Sequence, residues 1–180
     1  HERRFAGVGR VYGSAALARF ADSHAVVVGL GGVGSWVVEA LSRSAIGKLT
    51  LVDLDVVVAS NVNRQLQATS EQFGRGKAEV LAERALSINP RLQVRVVDDF
   101  LTRENAAEIL SPQPDLIFDC CDDAKAKLTL ATLLQGCSAI KLGYNQAPTL
   151  GYWWLDGQLS LDSAQSGQAK EALQQLQRWH

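Results

Sequence analysis

Apolar residues along this chain occur in short β-branched runs that alternate with longer segments of helical period. Short apolar runs bounded by polar or turn-forming residues are typical of strands that a sheet buries on both faces. The runs predict five strands, at residues 24–28, 49–52, 92–97, 115–119 and 138–142.

The segments between these runs predict helices. Within residues 72–88, Val80, Leu81 and Ala85 lie at helical spacing, and the pattern ends before Pro90. Further helices are predicted at residues 14–22, 35–44 and 124–134, and a short one opens at Thr102. Strands that alternate with helices indicate an α/β fold, here a Rossmann-like, doubly wound and mostly parallel sheet covered on both faces.

The last part of the chain follows a different pattern. Asp156 and Gly157 separate two apolar runs within residues 151–161, which is a hairpin signal. Residues 163–179 form a polar, glutamine-rich segment of helical character. We therefore expect a Rossmann-like domain over residues 1–145, followed by a C-terminal hairpin and helix over residues 146–180.

A glycine-rich turn follows the first predicted strand directly and opens a helix. Gly29, Gly31 and Gly34 satisfy the pattern G-x-G-x-x-G, and Gly32 removes one more side chain from the turn. Asp53 ends the second strand roughly 20 residues further on, where an acidic side chain can accept the ribose hydroxyls of a nucleotide. A turn used only for packing is the structural alternative. Taken alone, the motif favours NAD, its commonest ligand.

Charged residues further along favour ATP instead. A triphosphate needs more cations than a pyrophosphate, and Arg64 offers a bidentate clamp while Lys77 offers a point charge at a helix start. Asp122 follows the fourth strand, at the sheet edge where a carboxylate suits a magnesium ion that bridges phosphates. The structural alternatives are a surface ion pair for Arg64, a solvated helix charge for Lys77 and a helix N-cap for Asp122.

Composition limits the classes of function. The chain has 180 residues, 47% of them hydrophobic and 21% charged, and its net charge of −1 argues against a polybasic nucleic-acid coat. No apolar run approaches the roughly 18 residues of a membrane span. Three cysteines, of which Cys120 and Cys121 are adjacent, fit a reducing, cytoplasmic compartment rather than a disulfide framework. Because the chain starts at His1 and lacks methionine, we expect it to be a fragment or a trimmed chain.

Several motifs resemble those of the E1-like adenylating family, of the ThiF type, which includes the activators of ubiquitin-like sulfur carriers. In family order, they are GLGGVGS, LVDLD, SNVNRQ, GKAEV and DCCDD. RRFAGVGRVYG, KAEVLAER, INP and VVDDF resemble the branch of bacterial tRNA threonylcarbamoyladenosine dehydratases. The resemblance covers about residues 2–145. From Gly143 onward the sequence departs from that branch, and the C-x-x-C zinc pair of the sulfur-carrier activators is missing.

The resemblance implies roles for individual residues. Arg64, Lys77 and Asp122 are the implied catalytic residues, with Asp122 also the magnesium ligand, and an N-terminal arginine, Arg4 or Arg10, would reach the ATP of a partner subunit. The implied ATP-binding residues are Gly29, Gly31, Gly32, Gly34, Asp53, Asp55, Asn61, Asn63, Arg64, Gln65 and Lys77.

The resemblance also implies a reaction. A substrate carboxylate attacks the α-phosphate of ATP, with Mg²⁺ as cofactor, and in the dehydratase branch the threonylcarbamoyladenosine of a tRNA is then cyclised. The implied enzyme is a cytoplasmic homodimer, with tRNA as partner and no membrane. Three alternatives remain: an adenylyltransferase for a sulfur carrier, with that carrier or a cysteine desulfurase as partner; a truncated, non-catalytic domain that binds a nucleotide or a partner; and an NAD-dependent oxidoreductase.

The adjacent cysteines have two interpretations. A catalytic thiol that takes over the acyl group would use Cys120 or Cys121, as in thioester-forming E1 enzymes. The alternative is a pair of small residues packed at a buried strand end, and the usual burial of free cysteine favours it.

Overall fold

Four parallel strands form one sheet at the centre of the fold. The computed structural model describes residues 2–134. Within them the strands are β1 (His24–Val28), β2 (Lys48–Val52), β3 (Gln93–Val97) and β4 (Leu116–Asp119). Their order is β3-β2-β1-β4, and every neighbouring pair is parallel. This confirms the predicted doubly wound α/β class. The predicted strand at 138–142, the hairpin and the last helix lie outside the described residues.

Six α-helices lie among the described residues. They are α1 (Glu2–Tyr12), α2 (Ser14–Asp22), α3 (Gly34–Arg43), α4 (Lys77–Ile88), α5 (Ala106–Ile109) and α6 (Ala124–Leu134). The predicted bounds of α2, β1 and α6 are confirmed to the residue, whereas α1 has no counterpart among the predicted elements. No helix within residues 2–134 has the length and apolar character that crossing a membrane requires.

Helix α4 begins later than predicted, at Lys77 rather than at residue 72. The backbone N–H of Gly74 donates to the Val57 carbonyl, and the Val57 N–H donates to the Arg75 carbonyl, both at 2.8 Å. Gly74 has φ of +86°, a conformation that glycine adopts without strain and a helix does not contain. Pairing with Val57 therefore holds this segment out of the helix.

The start of the short helix α5 was also predicted wrongly. The Thr102 N–H donates to Asn105 Oδ1 at 2.8 Å, and the Asn105 N–H donates to Thr102 Oγ1 at 3.4 Å. These reciprocal bonds between side chain and backbone close a turn before the helix, which begins at Ala106. Thr102 thus belongs to the turn.

The core lies on both faces of the sheet, because β1 is buried along its whole length. On one face Leu49 and Leu51 pack with residues of α3 and α4, including Val38 and Leu81. On the other face Val26 packs with residues of β4, α5 and α6. Continuous apolar strands are what such a doubly covered parallel sheet requires.

Glu39 joins α3 to α4 by charge. Its carboxylate accepts hydrogen bonds from Arg84 Nε at 2.7 Å and Nη2 at 2.9 Å, and Arg43 Nη2 lies 2.7 Å from Glu39 Oε1. The Glu39 side chain is only 10% exposed, whereas the Arg84 and Arg43 side chains are 43% and 61% exposed, so Glu39 is the buried member of this group. The hydrogen bonds from Arg84, and then those from Arg43, hold the pKa of Glu39 below its ordinary value.

Replacement of Glu39 by Gln should lower the free energy of unfolding at pH 7 by about 1–3 kcal/mol, because it weakens charge-assisted bonds between two helices. The folded-state pKa of Glu39 is lowered, so its contribution is present above the unfolded pKa of about 4.3 and is lost as pH falls through the folded pKa. Urea unfolding of both proteins at a series of pH values should show the difference shrink below about pH 4.3.

The matched control is Glu83→Gln, which removes an exposed carboxylate paired with Arg75. Solvent screens that pair, so Glu83→Gln should lower the free energy of unfolding much less than Glu39→Gln does. A difference between the unmodified chain and Glu39→Gln that stays constant from pH 7 to pH 3 would contradict the charge-based explanation.

Candidate functional site

The carboxyl ends of three strands meet at one edge of the sheet. Gly29 follows β1, Asp53 follows β2 and Cys120 follows β4, and these strands are hydrogen-bonded neighbours. In open α/β sheets this edge is where ligands bind. Further predicted site residues lie on the long connection from β2 to α4, which carries Asp55, Asn61, Asn63, Arg64 and Gln65.

Two glycines of the turn are required by packing. Gly29 has φ of +85°, and a Cβ there would lie 2.7 Å from the backbone nitrogen of Cys121. A Cβ on Gly34 would collide with the carbonyl oxygen of Gly29. Gly29 thus makes the turn and lets β4 approach, while Gly34 lets α3 pack against the end of β1.

Gly31 and Gly32 are different, because the fold does not need them for close packing. A Cβ on Gly31 would meet only Gln65 Nε2, at 3.8 Å, and a Cβ on Gly32 would lie 3.4 Å from Cγ of the flexible Arg64 side chain. Val33 precedes α3 without a side-chain cap. The Ser35 and Trp36 N–H groups donate to the Gly31 and Val33 carbonyls, so the N–H groups of the turn itself, at residues 31–34, are the ones suited to an anion.

Asp53 holds the glycine turn in place. Its Oδ2 accepts the Leu30 N–H at 2.5 Å, and its Oδ1 accepts the Asp55 N–H at 2.8 Å. Asp53 is 9% exposed. Each oxygen retains a second lone pair, so the predicted contact with ribose stays a prediction beside the structural role.

Asn61 organises the loop that carries SNVNRQ. Its Oδ1 accepts the Val58 N–H at 3.1 Å, and its backbone carbonyl accepts the N–H groups of Arg64 and Gln65. Asn61 is buried, and it ends a single 3-10 turn, Ala59–Asn61. Its side chain therefore serves the loop conformation in this structure.

The Arg64 side chain lies beside the glycine turn through its aliphatic stem. Its Nη1 donates to the Ser60 carbonyl at 3.0 Å and to Asn63 Oδ1 at 2.9 Å, while its aliphatic stem packs over Gly32. Both partners are uncharged oxygens. The surface ion pair considered from the sequence is thus absent among the described residues, and Asn63 acts as a support for Arg64.

Lys77, the first residue of α4, is buried. Its Nζ lies 2.7 Å from Asp55 Oδ2, and the two side chains are 7% and 58% exposed. The solvated helix charge considered from the sequence is therefore wrong. The pair thus joins the buried ammonium of Lys77 to the more exposed carboxylate of Asp55, and Lys77 begins the helix that follows the loop of Arg64.

Asp122 and Asp123 have separate positions. Asp123 caps α6, since its carboxylate oxygens accept the Lys125 N–H at 3.2 Å and the Ala126 N–H at 3.1 Å. The N-cap alternative for Asp122 is therefore wrong. Asp122 is exposed. Residues 2–134 contain no group of three His, Cys, Asp or Glu side chains that could hold a metal ion without other ligands.

The adjacent cysteines have the character of packed thiols. Burial, and then the neighbouring Asp119 carboxylate, raises the pKa of both Cys120 and Cys121 to about 12. A thiol that stays protonated at neutral pH is a poor nucleophile. The Asp119 carboxylate also lies 3.0 Å from Lys127 Nζ. These contacts support packing rather than acyl transfer.

The two N-terminal arginines differ in their contacts. Arg4 Nη1 donates to the Ile88 carbonyl at 3.1 Å, at the C-terminus of α4 and therefore at the opposite end of that helix from Lys77. Arg10 is exposed in the last turn of α1. Neither reaches the glycine turn of its own chain through a contact in the described structure.

The connection from β2 to α4 contains one buried polar residue that the sequence motifs do not single out. Gln67 is 3% exposed, and its Nε2 donates to the Leu30 carbonyl at 2.9 Å. Neither spacing nor residue type distinguishes Gln67 from its polar neighbours. Its burial is visible only in the folded chain.

The parallel sheet, with its glycine turn at the carboxyl edge, defines a Rossmann-like α/β domain. Within that class the chain belongs to the ThiF family, whose model matches residues 2–147.

Two relatives are named tRNA threonylcarbamoyladenosine dehydratase. The Haemophilus influenzae protein is 46% identical over 142 residues, which are 79% of this chain and 53% of the relative. The Escherichia coli (strain K12) protein is 48% identical over 128 residues, which are 71% and 48%. A solved structure of the E. coli dehydratase in complex with ATP matches with TM-score 0.74 and 46% identity, over 75% of this chain and 56% of that one. The chain thus spans about half the length of these relatives.

Gly34→Ala should destabilise the fold by about 1–3 kcal/mol or more, because the new methyl group overlaps the Gly29 carbonyl oxygen. Gly31→Ala is the matched control and should change the free energy of unfolding by less than about 1 kcal/mol, since its Cβ meets no backbone. Urea unfolding measures both. Equal losses of unfolding free energy in the two variants would contradict the conclusion that packing requires Gly34 but not Gly31.

Proposed function

We propose that this chain binds ATP at the glycine turn and adenylates a carboxylate, as a tRNA threonylcarbamoyladenosine dehydratase. The observation that carries the proposal is the contact of the Arg64 side chain with Gly32. Arg64 lies in the motif SNVNRQ, which resembles a motif of this adenylating family. The two dehydratase relatives and the ATP complex of the E. coli enzyme support the same assignment.

In this proposal the triphosphate lies against Gly31 and Gly32. The turn before α3 supplies backbone N–H donors, and Arg64 supplies a guanidinium whose hydrogen-bond partners among the described residues are neutral oxygens. Lys77 supplies a second cation when phosphate oxygens take the place of Asp55 beside its ammonium. Asp53 supplies its remaining lone pairs to the ribose.

The reaction needs little covalent chemistry from the protein. The threonyl carboxylate of the modified adenosine attacks the α-phosphorus, the α–β phosphoanhydride bond breaks, and pyrophosphate leaves. An acyl-adenylate results, and ring closure then expels AMP. Arg64 and Lys77 contribute by neutralising charge on the phosphates and by holding them in line.

Asp122 is our proposed ligand for Mg²⁺. A magnesium ion bound to nucleotide phosphates usually takes one or two protein carboxylates and keeps several waters, so one exposed carboxylate at this sheet edge fits such an ion. The ion would supply charge neutralisation at the phosphates.

The proposal extends to the assembly. We infer a cytoplasmic homodimer that acts on tRNA, in which Arg10 reaches the ATP of the partner subunit. Arg10 is the better candidate of the two arginines, since the Arg4 guanidinium already donates to carbonyls at the end of α4.

Exchange of labelled pyrophosphate into ATP tests the reaction and the substrate together. Exchange that depends on tRNA carrying threonylcarbamoyladenosine is the expected result. Exchange that requires a ubiquitin-like carrier protein instead would assign the chain to sulfur-carrier activation. ATP binding without exchange on either substrate would indicate a non-catalytic domain, and binding of NAD in place of ATP would overturn the proposal.

Arg64→Ala and Lys77→Ala should each lower this exchange by on the order of 100-fold, because each removes a cation from the phosphates. Arg64→Lys keeps the charge but loses the bidentate geometry, so it should recover only part of the loss. Arg91→Ala, which removes an exposed arginine at the start of the connection to β3, is the control and should exchange normally. Normal exchange by Arg64→Ala and Lys77→Ala would remove the triphosphate assignment.

A further inference from the structure

Gln67 is a buried amide whose position packing alone does not explain. The residue is 3% exposed, and its Oε1 is buried without a hydrogen-bond partner among the described residues. A buried polar atom without a partner is unfavourable. An apolar side chain of the same length would fill this space without that cost, so the use of Gln67 lies in the bonds made by its nitrogen.

The nitrogen of Gln67 holds the peptide that precedes Gly31. Gln67 Nε2 donates to the Leu30 carbonyl at 2.9 Å, while Asp53 Oδ2 accepts the Leu30 N–H. The backbone of Leu30 is therefore held at two points, since Gln67 binds its carbonyl and Asp53 binds its N–H. The orientation of the following Gly31 N–H depends on both contacts.

The same nitrogen of Gln67 also orients Gln65. Gln67 Nε2 lies 3.4 Å from Gln65 Oε1, so the oxygen of the Gln65 amide is occupied. The Gln65 Nε2 group lies on the side of Gly31, 3.8 Å from the position that a Cβ there would take. An amide NH₂ group only donates hydrogen bonds. Gln65 thus presents a donor to the open face of the glycine turn.

We propose that Gln67 is a positioning residue of the phosphate site. By holding the Leu30 carbonyl and Gln65 Oε1, it presents the Gly31 N–H and the Gln65 NH₂ group to the phosphate oxygens of ATP. The inference rests on the proposed function, in which ATP binds at this turn, and adds a residue that contacts no phosphate itself.

Titration calorimetry with ATP on the 180-residue chain tests this inference. Gln67→Met keeps the length of the side chain and removes the donor, and we expect the Kd for ATP to rise by about tenfold, which corresponds to one lost hydrogen-bond contribution.

Asn89→Leu is the matched control. Asn89 is equally buried, and its Nδ2 donates to the Ile46 carbonyl at 3.0 Å, far from the turn in the chain. Asn89→Leu should lower the stability of the fold and leave the Kd for ATP unchanged.

A double-mutant cycle separates positioning from general loss of stability. If Gln67 acts through Gln65, Gln67→Met should raise the Kd clearly less in a Gln65→Met background than in the unmodified chain. Equal effects in the two backgrounds, or a Kd shift no larger than that of Asn89→Leu, would overturn the inference. Absence of ATP binding by the unmodified chain would instead overturn the proposed function, and with it the role assigned to Gln67.

A measurement on the unmodified chain covers the case in which Gln67→Met does not fold. In spectra of the ¹⁵N-labelled protein, ATP should shift the side-chain NH₂ resonance of Gln65 and slow the exchange of the Gly31 N–H with solvent. The NH₂ resonance of Asn89 should stay in place. A Gln65 resonance that does not move while ATP binds would contradict the inference.

Discussion

The hydrogen bond from the Leu30 N–H to the Asp53 carboxylate is the contact on which the site depends. It joins the turn after β1 to the end of β2, so the glycine loop cannot shift without the neighbouring strand. The same carboxylate accepts the Asp55 N–H and thereby fixes the start of the connection that carries Arg64 and Lys77. One buried side chain thus sets the relative position of the phosphate turn and of the cations proposed to serve it.

Both cationic side chains that are proposed to bind phosphate have hydrogen-bond or ion-pair partners within the described chain. A buried ammonium is costly unless it is paired, and Lys77 is paired with Asp55. Asp55 is the more exposed partner of the two, so under the proposed function it would move into water while a phosphate took its place beside the buried Lys77. The Arg64 guanidinium is bonded instead to neutral oxygens, which the phosphate of the proposed function would outcompete because it is a charged acceptor.

The sequence predicted those elements whose pattern is local. The bounds of β1 and α6 follow from runs of apolar residues and from turn residues beside them, and both are confirmed. The start of α4 was missed because it is decided by hydrogen bonds of Gly74 and Arg75 with Val57, a contact between segments distant in sequence. Gln67 was missed for the same reason, since only the folded loop brings its amide to Leu30. The sequence predicted Arg64 and Lys77 as site residues, but the burial of Lys77 and the hydrogen-bond partners of both side chains required the structure.

In the segment DCCDD after β4, every residue except Asp122 has a structural contact, and Asp122 is the proposed metal ligand. Asp119 is nearly buried and pairs with Lys127, and Asp123 caps α6 through two backbone N–H groups. Between them, the backbone of Cys120 and Cys121 packs against Gly29, Cβ of Cys120 packs near Gly34, and burial raises the pKa of both thiols. Each of these four residues already has a structural use that a substitution would disturb. Asp122 is the exposed carboxylate left at the sheet edge where the nucleotide is proposed to bind, so a metal ion there would compete with no structural contact of the described fold.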